Sequence, residues 1–134
     1  MKYLLDTDIC IALINDRPPG VIERFRRHQI GDIGVSSITV SELAFGVAKT
    51  NSKRNAHALE KFLLPLEIMP FTAEAAFVAG TVRAVLEKRG KPIGPMDLLI
   101  ASHAKALGVT VVTNNTREFA RVPGLKVQNW VTDA

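Results

Sequence analysis

Short apolar runs recur along this chain, and each stops at a polar residue followed by a stretch with helical spacing. Lys2-Tyr3-Leu4-Leu5 stops at Asp6, Ile33-Gly34-Val35 at Ser36, and Val109-Thr110-Val111-Val112 at Thr113. Glu67-Ile68-Met69-Pro70-Phe71 reads as a further strand. The intervening segments predict helices over 9–14, with Thr7 or Asp8 as cap, and over 21–27, after the break at Pro18-Pro19-Gly20. Others are predicted from Thr39 towards Lys49, from Ala56 to Leu64, and from Ala73 to about Lys88 with Thr72 as cap. The last runs from Met96 to Leu107, with Pro95 as its first residue and Gly108 as its stop. Strands joined through helices pair in parallel, and a parallel sheet must be covered on both faces. The expectation is an α/β fold, an α/β/α sandwich with a central parallel sheet of four to five short strands.

In open sheets of this kind, ligands gather beyond the carboxyl ends of the strands. Asp6 ends the first strand, and Glu42 is placed in the first turn of the helix after the second. Asp97 lies in the first turn of the helix before the last clear strand, and Asn115 and Glu118 follow that strand. Each has a structural reading. Thr39 with Glu42 matches a capping box, Asp97 offsets the positive end of its helix, and Asp6 is a helix cap. Together they are harder to explain structurally. Asp6 directly follows two leucines and Asp97 precedes Leu98-Leu99-Ile100-Ala101. Carboxylates at the rim of an apolar core are costly unless paired or bound to a metal.

A cluster of hard oxygen donors favours Mg²⁺ or Mn²⁺. Cys10 and the scattered His28, His57 and His103 show no zinc spacing, and both residue types read as core or helix packing. No Walker loop, G-x-G-x-x-G fingerprint or nucleophile elbow around Ser36, Ser37 or Ser41 is present. The chain carries 17 basic and 13 acidic residues, a net charge of +4. With several acids drawn into one pocket, the remaining surface is still more basic. That suits an enzyme that attracts a polyanion. Basic side chains from Arg24 to Arg121 are candidates for phosphate contact, without any sign of which surround the site. Carboxylate-held divalent ions at a sheet edge inside a basic surface point to phosphodiester hydrolysis.

Length and composition fit one domain over residues 1–134, with 47% apolar residues to form a core. The single cysteine excludes an internal disulfide and suits a reducing compartment. No apolar run approaches the ~20 residues of a membrane span. An acid at position 6 argues against a secretory signal. The expected location is cytoplasmic.

Four blocks carry a resemblance. Leu4-Leu5-Asp6-Thr7-Asp8-Ile9-Cys10-Ile11 resembles the opening L-D-T-N-x-x-I of the PIN domains, and in particular of the VapC toxins. Ser36-Ser37-Ile38-Thr39-Val40-Ser41-Glu42-Leu43-Ala44-Phe45-Gly46 resembles their S-x-x-T-x-x-E-L-x-x-G block. Gly94-Pro95-Met96-Asp97-Leu98-Leu99-Ile100-Ala101 resembles G-x-x-D-x-x-I-A, and Thr113-Asn114-Asn115-Thr116-Arg117-Glu118-Phe119 resembles T-x-N-x-x-D/E-F. The blocks occur in order and span the chain. The resemblance implies a PIN-like fold and an Mg²⁺- or Mn²⁺-dependent toxin endoribonuclease of a type II toxin–antitoxin system. It also implies a VapB-type antitoxin and a toxin homodimer. Asp6, Glu42 and Asp97 would be the metal-site acids, Asp6 and Asp97 the direct ligands, with Asn115 and Glu118 completing the catalytic set. The last block is most similar to the subgroup that cleaves initiator tRNA in its anticodon loop. Three positions depart from the pattern. Asn115 stands where many PIN domains have an acid, which puts a second metal in question. Glu118 stands for Asp, and Asp8 replaces Asn.

Two other readings stand beside this one. Asp6-Thr7-Asp8 after a strand also resembles the D-x-D of haloacid-dehalogenase-type phosphatases, although Cys10 sits where Thr or Val is expected. A non-catalytic PIN-like module that binds RNA or a partner is the other.

Overall fold

The structure, a computed structural model, describes residues 1–131. Its sheet contains β1 (Tyr3–Leu5), β2 (Ile33–Ser36), β3 (Glu67–Met69), β4 (Thr110–Val112) and β5 (Val127–Gln128). The spatial order is β3-β2-β1-β4-β5, with every pairing parallel. Strand β1 is central. The chain builds outward from it on one side through β2 and β3, and on the other through β4 and β5. The carboxyl ends of β1 and β4 therefore flank the point where the topology reverses, the place where such sheets bind ligands.

Alternation of side chains along the strands creates two cores. Leu4 pairs in register with Val111 and Leu5 with Val112, so successive residues face opposite sides. Leu4 and Val111 pack with Val82, Leu86, Ile100 and Phe119. These come from α5 (Ala73–Lys88), α6 (Pro95–Leu107) and α7 (Thr116–Phe119). Leu5 and Val112 pack on the other side with Ile9, Cys10, Val21, Leu43 and Trp130. That layer draws on α1 (Thr7–Asn15), α2 (Pro19–Arg26), α3 (Ser37–Thr50) and α4 (Lys53–Leu63). Each fully buried aliphatic side chain contributes roughly 1.5–3 kcal/mol. The α/β/α sandwich is as expected, and Cys10 is a buried core residue whose thiol pKa is pushed up by burial.

The helix boundaries correct the sequence reading in two places that matter. Helix α1 begins at Thr7 and is capped by Asp6, whose carboxylate accepts the Thr7 N–H, not by Thr7 or Asp8. Helix α3 begins at Ser37 under a Ser36 cap, which accepts the Ile38 N–H. Glu42 therefore lies in the second turn and not the first. Thr39 is inside the helix, so the capping-box explanation of Glu42 fails. Thr72 caps α5 as expected, and α6 starts at Pro95 and ends at Gly108 with φ +70°. Neither α7 nor β5 was anticipated. Among the described residues, no helix is long and apolar enough to cross a membrane.

Candidate active site

Strand β1 delivers Asp6 to the carboxyl edge of the sheet. Its backbone N–H donates to the Val112 carbonyl at 2.8 Å, which extends the β1–β4 ladder by one step. The chain then turns into α1, and the side chain is left at the β1–β4 junction, only 4% exposed. Its Oδ1 accepts the Thr7 N–H at 2.8 Å, and its Oδ2 accepts the Thr113 hydroxyl at 2.7 Å from the end of β4. Thr113 Oγ1 in turn accepts the Asn115 N–H at 2.9 Å.

Helix α6 brings Asp97 in from the other side of the junction. The Asn115 amide donates to Asp97 Oδ2 at 3.0 Å and to Glu118 Oε2 at 2.6 Å. The acid missing at position 115 is thus replaced by a donor that holds two other acids together. Glu42 reaches the same edge from α3, where the Thr7 hydroxyl donates to its Oε1 at 2.6 Å. Asp6, Asp97, Asn115 and Glu118 share one hydrogen-bonded chain, and Glu42 joins through the residue next to Asp6.

Electrostatics mark the cluster as strained. Burial, then the neighbouring charges of Asp8 and Glu42, push the Asp6 carboxyl from the ordinary 3.8 to about 6. Burial and the charge of Asp6 likewise raise Asp97 to about 6. Asp8 is raised too, chiefly by burial. Acidic neighbours are the leading charges acting on all three. Asp8 accepts the Asn114 N–H on Oδ2 at 3.1 Å, while its buried Oδ1 has no partner. A buried, unpartnered carboxylate oxygen in an all-oxygen acidic cluster fits a hard divalent cation. Among the described residues, no three acidic, histidine or cysteine side chains already close on one point as a ready cage.

Sequence reasoning missed the two threonines that orient the acids, Thr7 and Thr113, and the contacts of Asp8 and Asn114. Their signal was present in the L-D-T and T-x-N blocks, but hydroxyls beside acids at two strand ends acquire meaning only when the strands are adjacent. Two of the three histidines are engaged elsewhere. His103 is buried on α6, with Nδ1 2.8 Å from Ser36 Oγ and its ring edge-on to Phe71. His28 stacks on Trp130.

A family model described as the PIN domain matches residues 3–125. The chain is 43% identical over 131 residues to a tRNA(fMet)-specific endonuclease VapC of Shigella flexneri, covering 97% of this chain and 98% of that one. It is 44% identical over 132 residues to ribonuclease VapC2 of Rickettsia felis, with 97% and 98% covered. Among solved structures, DNA-bound VapBC from Salmonella typhimurium superposes with a TM-score of 0.89 at 41% identity, covering 97% of this chain and 98% of that one.

Proposed function

The chain belongs to the PIN-domain family, in its VapC branch, and from that premise we propose that it is the toxin endoribonuclease of a VapBC-type pair, cutting tRNA at the acidic site. The observation that carries this reading is the hydrogen-bonded chain Asp6–Thr113–Asn115–Asp97/Glu118 at the β1–β4 junction. Initiator tRNA is the substrate favoured by the names of the similar enzymes of Shigella flexneri and Salmonella typhimurium, and a cut in the anticodon loop is what the resemblance of the Thr113 to Phe119 block implies. One PIN domain accounts for residues 1–134, and a cytoplasmic location follows from a tRNA substrate.

Asp6 and Asp97 are the direct ligands of Mg²⁺ or Mn²⁺ in this reading, with Glu42 as the third acid. When bound, a divalent ion supplies an activated water at neutral pH and stabilises charge on the phosphate. The protein's part is to hold the acids. The Thr7 N–H and the Thr113 hydroxyl fix Asp6, and the Thr7 hydroxyl fixes Glu42. Asn115 orients Asp97 and Glu118 through one oxygen of each, which leaves the second oxygen of each carboxylate for an ion. Asp8, with one oxygen unpartnered, is available for a further ion contact.

A VapB-type antitoxin is the partner. A groove of about 430 Å³ runs between α1, α3 and α4, lined by Ile11, Ile14, Leu43, Val47 and Leu59, with Thr7 and Glu42 at one end. An amphipathic antitoxin segment seated there would end beside the acids, where an arginine fork matches carboxylates. Phe45 is 67% exposed and Phe77 79% exposed, and these apolar side chains support a homodimer.

Purified protein incubated with total tRNA and Mg²⁺ should cut a small set of tRNAs in the anticodon loop, and EDTA should stop it. Undiminished cleavage in EDTA would overturn the metal assignment. Absence of cleavage with every divalent ion would favour the non-catalytic reading.

A further inference from the structure

Most of the acids of this edge lie on one side of α7, and a different chemistry lies on the other. Residues 115 and 118 face Asp97, while Phe119 and Val122 are buried in the core. Arg117 and Arg121, four positions apart, line instead a pocket of about 550 Å³ together with Leu86, Arg89, Lys91 and Ala120. No acid lines it.

The cations are held on a stiff frame. Helix α5 ends in a Schellman turn. The Lys91 N–H donates to the Leu86 carbonyl at 3.0 Å, the Gly90 N–H to the Glu87 carbonyl at 3.0 Å, and Gly90 has φ +65°. This sets Arg89 and Lys91 on either side of the turn. Arg121 Nη1 donates to the Pro92 carbonyl at 3.0 Å, tying the end of α7 to the same loop. Cations near a helix C-terminus are ordinary complements of its dipole, which would explain Arg89 and Lys91 alone. It does not explain why Arg117 of α7 and Arg121 just beyond it converge on them. The nearby Arg83 is neutralised by Glu87 at 2.8 Å, whereas none of the four has an ion pair among the described residues. The loop leads from Lys91 through Gly94 into the first turn of α6, where Asp97 stands.

We infer that Arg89, Lys91, Arg117 and Arg121 form a seat for the RNA phosphate backbone that leads the strand to the acidic site. This rests on the reading of that site as a tRNA-cleaving centre. Three of the four are arginines, whose planar forks suit phosphate oxygens. The seat therefore contributes affinity and direction, while the acids carry the chemistry.

The test uses the full chain with Arg89, Lys91 and Arg117 replaced together by alanine. Arg121 is left alone because it holds the loop. A charge-matched control replaces exposed Arg17, Lys61 and Lys126, outside the pocket. Affinity for an initiator tRNA transcript is measured against salt in EDTA, and cleavage is measured separately with Mg²⁺. The pocket variant should bind roughly tenfold or more weakly, and its salt slope should fall by about two for three lost contacts. Its KM should rise more than its kcat falls, and Arg117→Lys alone should keep most of the affinity. The control should retain the pocket variant's lost affinity. Equal losses in both variants would mean diffuse attraction only and would overturn the seat. So would an unchanged salt slope, or lost affinity for the cognate antitoxin with tRNA binding intact. If the wild type binds the transcript in this way but cuts no tRNA, the cleavage reading fails and the seat stands. If it cuts tRNA and the pocket variant matches it, the seat alone fails.

Discussion

Helix α7 separates two charged regions that carry their charge in opposite ways. On one side, Asp6 and Asp97 stand with Glu118 at the rim of a core, and burial and mutual repulsion raise Asp6 and Asp97 to about 6. On the other side, Arg89, Lys91 and Arg117 are exposed and keep their water. Charges left in water cost little and attract at a distance, so a basic surface can be assembled cheaply. Desolvated acids destabilise the fold, and so their gathering at one edge needs a functional reason. The energetic weight of a charge here is set by burial and not by its count in the sequence.

The sharpest way to break this contrast is to neutralise an acid. Asp97→Asn should lower tRNA cleavage by roughly a thousandfold, the equivalent of several kcal/mol of lost charge stabilisation. In EDTA its stability should equal or exceed that of the wild type, because repulsion with Asp6 is relieved. Cleavage at the wild-type rate would sink the site assignment.

The second test uses pH. Folded Asp6 holds its proton more tightly than the unfolded chain does, about 6 against 3.8. Its contribution to stability is therefore fully present below pH 3.8 and is lost as pH rises through about 6. The loss is up to about 3 kcal/mol for this group, and Asp97 adds less because solvent screens it. Urea unfolding in EDTA should show the wild type falling relative to Asp6→Asn across that window. Parallel curves for the two proteins would remove the strain argument. Excess Mg²⁺ at neutral pH should restore stability to the wild type and not to the variant.

Thr113→Val probes the ordering of the site. It removes the hydroxyl that donates to Asp6 and the acceptor of the Asn115 N–H. A cost of about 1–3 kcal/mol is expected at neutral pH, with slower cleavage and a pH profile moved upward. Unchanged stability and rate would mean that the acids are oriented by something else. The smallest effect belongs to the exposed pair. Arg83→Ala should change stability by less than about 0.5 kcal/mol and leave tRNA affinity alone. A clear loss of tRNA affinity would extend the basic seat beyond the pocket.

Much of the architecture was readable locally. The caps at Thr72 and Gly108, the proline at the start of α6 and the β2 run Ile33–Ser36 are decided by neighbours in sequence. Helix α7 and β5 escaped because both are too short for any periodicity to show. The five candidate site positions were legible as polar residues at strand–helix junctions. The misplacement of Glu42 arose because Thr39-Val40-Ser41-Glu42 matches a capping box in isolation. In the folded chain Ser36, at the end of β2, already fills that role.

By itself the sequence determined the alternation of strand and helix, and with it a parallel sheet with acids near its carboxyl edge. It did so because backbone propensities, caps and side-chain periodicity act over a few residues. Only the tertiary structure decided that β1 lies beside β4, which sets the Thr113 hydroxyl against Asp6 across 107 positions of chain. It alone divided the basic residues into an exposed background and a pocket, and turned Asn115 from a missing acid into the donor between two others. Strand order is chosen by how two apolar faces are covered at once, a condition on the whole chain that no local stretch contains.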